Sequence, residues 1–135
     1  MDELKFLQEN EVPFARLLGI KLTSAAPDRV TAELLVRDEL CTSPATLHGG
    51  ALMALADSLG AYATMLNLRD GAGTTTLESK TNFLAPAPAG TTVTAECTPI
   101  HRGKRTMVWQ TRISGAKGRL LAIITQTQMV LDARA

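Results

Sequence analysis

A chain of 135 residues, 45% hydrophobic and 20% charged, is sized for one compact domain with its own core and leaves no room for a second, so 1–135 is read as a single unit. Its 14 Lys and Arg stand against 13 Asp and Glu, a net charge of +1, which excludes a global field favouring nucleic acid or an anionic membrane and confines any phosphate site to a local patch. The opening MDELKFLQENEVPF is acidic and mixed, unlike the basic start and apolar run of a secretory leader, so a cytoplasmic location is expected.

From Asp2 to about Leu18, Leu4, Leu7, Phe14, Leu17 and Leu18 recur at loosely helical spacing broken by Pro13, which predicts two short helical turns ended by Gly19. From Ile20 to Val36 the chain reads as a hairpin turning at Pro27-Asp28, with Val30, Ala32, Leu34 and Val36 alternating against Thr31, Glu33 and Leu35. A polar loop containing Ser43-Pro44 leads from Arg37 to Thr46. A helix is expected from about His48 to Leu68, apolar or small on every face, so something must wrap it. The stretch LHGGALMALADSLGAYATML within it has bilayer length, but Asp57 near its centre, at about 2.5–3.5 kcal/mol on insertion scales, argues for a buried helix in a soluble domain.

Four strands follow, at Thr74–Ala85, Thr91–Ile100, Arg105–Ser114 and Leu120–Leu131, joined by the turns PAPAG, RGK and GAKGR. In the third, Met107, Trp109, Thr111 and Ile113 share a face. Short turns make the strands antiparallel neighbours, and no repeat or linker interrupts them. The fold class that satisfies both the apolar helix and one-sided strands is α+β, an antiparallel sheet curved around one long helix. Such a sheet keeps two edges, so partner subunits are expected on some of its surface.

The candidate chemistry lies mainly on that helix. His48-Gly49-Gly50 opens it, where backbone N–H groups lack intrahelical acceptors and glycine allows a carbonyl to approach. A second reading makes the glycines an aid to tight packing only. Asp57 is the sole ionisable side chain between Gly49 and Leu66. A lone carboxylate in such surroundings is costly, which points to a functional site or to an interface that satisfies it. Gly60 and Ala61 share its helical face and leave room for a ligand or for a second helix.

In TTTLESKTNFLAPA, Thr76, Glu78, Lys80 and Asn82 alternate with Leu77, Ser79, Thr81 and Phe83; Glu78 and Lys80 suit a solvated face, while Thr76 can lend a hydroxyl to a site. HRGKRT gathers Arg102, Lys104 and Arg105 in one turn, a phosphate-sized patch or simply solvated charge, with His101 beside it. Cys41 and Cys97 stand far apart with no metal-ligand spacing and read as reduced thiols; no metal or cofactor is called for.

TLHGGALMALADSLGAYA followed by TNFLAPAPAG resembles the hotdog-fold thioesterases, in particular the phenylacetate-degradation type, over nearly the whole chain. The resemblance implies edge-to-edge dimers, often paired into tetramers, with two shared sites acting on acyl-CoA. It implies Asp57 as nucleophile or general base, the backbone N–H of Gly49 from the partner polarising the thioester carbonyl, and Thr76 helping to orient water or the carboxylate. His48 and Gly50 would border the substrate, and Arg102, Lys104 and Arg105 would contact the nucleotide phosphates. One position departs from the pattern: Thr42 stands six residues before His48, where relatives commonly carry Asn or Gln. That departure leaves a non-catalytic acyl-CoA binding module as the alternative.

Overall fold

The computed structural model describes residues 1–133. Helix α1 (Glu3–Glu9) is capped by Asp2, whose side chain accepts from Lys5 N. Helix α2 (Pro13–Leu18) starts on the proline and ends at Gly19, whose φ of 82° is the left-handed conformation that glycine adopts without penalty. Strands β1 (Lys21–Ala26) and β2 (Arg29–Leu35) form the expected hairpin, and Val30, Ala32, Leu34 and Val36 are all buried. The polar loop holds more order than its composition suggests: a 3₁₀ turn at Asp38–Leu40 and a two-residue pair, β3 (Cys41–Thr42) with β4 (Thr46–Leu47).

Helix α3 (Gly49–Met65) is shorter at both ends than predicted, because His48 is its cap and Leu66 already closes it. Strands β5 (Gly73–Phe83), β6 (Thr92–Arg102), β7 (Thr106–Ser114) and β8 (Leu120–Leu131) complete one antiparallel six-stranded sheet in the order β1-β2-β6-β7-β8-β5. The core lies between this sheet and α3, built from Leu52, Leu55 and Leu59 of the helix against Trp109, Ile113 and Ile124 of the strands.

The sheet curves around only one side of α3. Met53, Ala54, Asp57, Ser58, Ala61 and Met65 are all partly exposed, a stripe at helical spacing that the chain itself leaves open. The sheet therefore wraps the helix as expected, but leaves this one stripe of it partly exposed. Among the described residues no helix is long and apolar enough to cross a membrane.

Both cysteines are free thiols, Cys41 half-buried and Cys97 buried. Burial pushes the Cys97 thiol up to about 12. Burial also raises the Tyr62 phenol, whose oxygen accepts from Val12 N at 3.0 Å and ties α2 to α3.

Candidate active site

Three of the four backbone N–H groups at the start of α3 have partners within the chain. His48 N donates to Leu40 O at 2.8 Å, Ala51 N to His48 O at 2.9 Å, and Gly50 N to His48 Nδ1 at 2.7 Å. Gly49 N–H alone lacks an acceptor among the described residues, so it is the donor free to meet an oxyanion. His48 and Gly50 thus build the helix end, and both also line a groove beside it. Because Nδ1 accepts, a neutral His48 carries its proton on Nε2, facing outward. The Phe83 ring lies over Gly49, so close that a Cβ at that position would stand 3.1 Å from its Cε1.

Two largely apolar grooves open at this end of the helix, one of them bordered by Gly49 itself. One, of about 210 Å³, is lined by Phe14, Leu18, Leu40, Ala51 and Ala54 among others; the second, of about 390 Å³, by Leu47, Leu52, Phe83, Ala85 and Pro86.

Asp57 sits two turns further along α3, on the open stripe and only partly buried, not enclosed by the chain as its sequence surroundings suggested. Its Oδ1 accepts the hydroxyl of Thr76 at 2.6 Å. Thr76 reaches it because β5 carries a bulge: Thr76 pairs with Gln128 and Glu78 with Thr127, leaving Leu77 as the extra residue. This corrects the simple alternation, since Thr76 faces the helix while Glu78 faces away and accepts from Thr127 Oγ1 at 2.8 Å.

The space beside Asp57 is also not what Gly60 suggested. Gly60 is buried, and the amide of Gln126 occupies the volume its missing side chain leaves. Gln126 and Gln128 are fully buried and escaped the sequence reading altogether. The signal was two glutamines on the β8 face whose other members are Ala122, Ile124 and Val130. Gln128 Nε2 donates to Thr76 Oγ1 at 2.7 Å and to Gln126 Oε1 at 2.8 Å, and Gln126 Nε2 donates to Ala56 O at 2.8 Å.

The basic turn lies elsewhere in the chain. Arg102 donates to Asn67 Oδ1 and Pro27 O, both at 3.4 Å, at the C-terminal end of α3 and about 25 Å along the helix from Gly49. Lys104 lines the same recess as Arg102, and Arg105 a neighbouring one with Met129 and Asp132. Thr42 is exposed in the β3–β4 pair, opposite Thr46. No cluster of His, Cys, Asp or Glu able to hold a metal ion occurs among the described residues.

Comparison with known proteins gives this geometry a context. The family model described as the thioesterase superfamily matches residues 45–122. A mutant thioesterase from Pseudomonas aeruginosa is 33% identical, covering 96% of this chain and 91% of its own, with a TM-score of 0.84. The PaaI protein of the phenylacetic acid degradation operon in E. coli is 24% identical, covers 97% and 93%, and superposes with a TM-score of 0.87, a likeness of fold. A hypothetical thioesterase from Streptococcus pneumoniae, solved with coenzyme A, shares 22% identity over 86% of this chain and 88% of its own, with a TM-score of 0.78.

Proposed function

The chain belongs to the thioesterase superfamily and has its hotdog fold, and from that premise we propose that it hydrolyses acyl-CoA, with an aromatic or medium-chain acyl group, at sites shared between two copies. The observation that carries the reading is the 2.6 Å bond from Thr76 to Asp57 on the open stripe of α3. It holds one carboxylate oxygen and leaves the other for water.

In the proposed reaction Asp57 takes a proton from water as the water oxygen bonds to the thioester carbon. The carbonyl electron pair moves onto oxygen and is held by a Gly49 N–H. Collapse of that intermediate breaks the C–S bond, and the thiolate leaves with the proton that Asp57 held. Asp57 and Gly49 are eight residues apart on one helix, about 12 Å along its axis, too far to serve one carbonyl within a chain. A second copy supplying the donor removes that difficulty. The free edge of β5, with Leu77, Phe83 and the following Leu84 each more than half exposed, is the surface on which it docks. The grooves at the Gly49 end of α3 suit an apolar acyl chain, and the cationic turn of one subunit meets the nucleotide phosphates.

The test is thiol release from benzoyl-, phenylacetyl-, hydroxyaromatic and straight-chain acyl-CoAs beside Asp57→Asn, with acyl-pantetheine analogues as the arm lacking nucleotide phosphates. Turnover that falls at least 1,000-fold in the variant, and a lower KM for CoA than for pantetheine esters, is expected. Binding of acyl-CoA without cleavage by the unaltered protein transfers the assignment to a binding module, the reading that Thr42 motivates.

A further inference from the structure

We propose that Gln126 and Gln128 are positioning residues, a buried amide relay that fixes which way the Thr76 hydroxyl points and so holds Asp57 in its working orientation. The inference rests on the reading of Asp57 as the catalytic carboxylate.

Two fully buried amides on a core-facing strand require explanation, because apolar residues of the same size would fill the space without polar groups to satisfy. What the amides add is direction. The Ala56 carbonyl can only accept, so the group of Gln126 that meets it at 2.8 Å must be the NH₂. Gln126 therefore turns its Oε1 toward Gln128, which must answer at 2.8 Å with its own NH₂. The second proton of that NH₂ goes to Thr76 Oγ1 at 2.7 Å, while Gln128 Oε1 shares the Thr74 hydroxyl with Met129 O, each at 2.9 Å. Reversing either amide would set two acceptors face to face.

Thr76 thus receives a hydrogen bond from within, and its single proton is directed to Asp57 Oδ1. A hydroxyl without this constraint could rotate and give its one proton to another acceptor in place of the carboxylate. The relay starts at Ala56 and returns to the adjacent residue, Asp57, so its direction is set by a helix carbonyl beside the group it orients. Gly60 belongs to the same device, since only glycine leaves Gln126 its place against the helix.

The experiment is a double-mutant cycle of Gln128→Met and Thr76→Val, with Thr76→Ser as the conservative control, read by steady-state kinetics, the pH profile of kcat/KM and the carboxyl ¹³C resonance of Asp57. Gln128→Met is expected to lower kcat about 10- to 100-fold with KM little changed, and to move the acid limb of the profile to higher pH. In the Thr76→Val background the same substitution is expected to change neither, while Thr76→Ser keeps the sensitivity to Gln128. The ¹³C resonance should move in Gln128→Met and no further in the double variant.

A kcat loss of equal size in both backgrounds, or an unchanged ¹³C resonance in Gln128→Met, overturns the relay. The resonance needs no turnover, so it tests the relay even where Asp57→Asn retains activity and the catalytic reading of Asp57 fails.

Discussion

Replacing Gly60 by Ala sets two effects of opposite sign against each other in the middle of α3. Alanine is the better helix residue, by about 0.5–1 kcal/mol at an interior position. The added methyl, however, would overlap the Gln126 amide, which is fully buried and hydrogen-bonded at both ends. Displacing it costs about 1–3 kcal/mol for overpacking and about 1 kcal/mol for each of the two hydrogen bonds it loses. The loss wins by about 2–4.5 kcal/mol, a fall in Tm of roughly 6–18 °C for a domain of this size. Differential scanning calorimetry of Gly60→Ala against the unaltered protein measures it. A rise in Tm would refute the reasoning, because it would mean that Gln126 is free to move and that its place against the helix is not enforced.

Two further outcomes are expected. If sites are shared, Asp57→Asn and Gly49→Val are each inactive alone, but a refolded equimolar mixture recovers about a quarter of full activity, because half of the dimers are mixed and each mixed dimer keeps one intact site; no recovery would place both groups in one subunit. The second outcome follows from Cys97, whose thiol stays protonated in the fold up to about 12 but ionises near 9 when unfolded. Its contribution is complete below pH 9 and is lost as pH rises from about 9 toward 12, so the unaltered protein should lose more Tm between pH 8 and 10.5 than Cys97→Ala does. Equal losses would show that Cys97 is not the group responsible.

The fold was legible because its signals were local and periodic: Pro13 and Gly19 bounding α2, the alternation through β2 and β7, and one long helix among strands. Asp57, Gly49 and Thr76 were legible as chemically odd residues in apolar or strand settings. What was not legible depended on contacts distant in sequence. Thr76 faces the helix only because of the bulge at Leu77, and period-two reasoning has no way to count the extra residue. Gly60 read as space for a ligand because its occupant, Gln126, lies 66 positions further on. The glutamines themselves were hidden in a strand that is otherwise plainly apolar, where only their parity with Ile124 and Val130 marks them as buried.

These contacts give β5 a particular place in the chemistry. Its inward residues touch both ends of the candidate site: Thr76 bonds Asp57, and Phe83 lies over Gly49. Its inner neighbour β8 supplies the amides behind Thr76, and its other edge pairs with nothing among the described residues. A second copy adding to that edge would therefore dock on the strand that bonds Asp57 and packs over Gly49. The roughly 12 Å between Asp57 and Gly49 cannot be shortened within α3, since both are fixed to one rigid helix. In the proposed shared site, register along β5 would decide whether one subunit's carboxylate faces the other's Gly49 N–H, so a slip of that register should abolish catalysis while leaving each subunit folded.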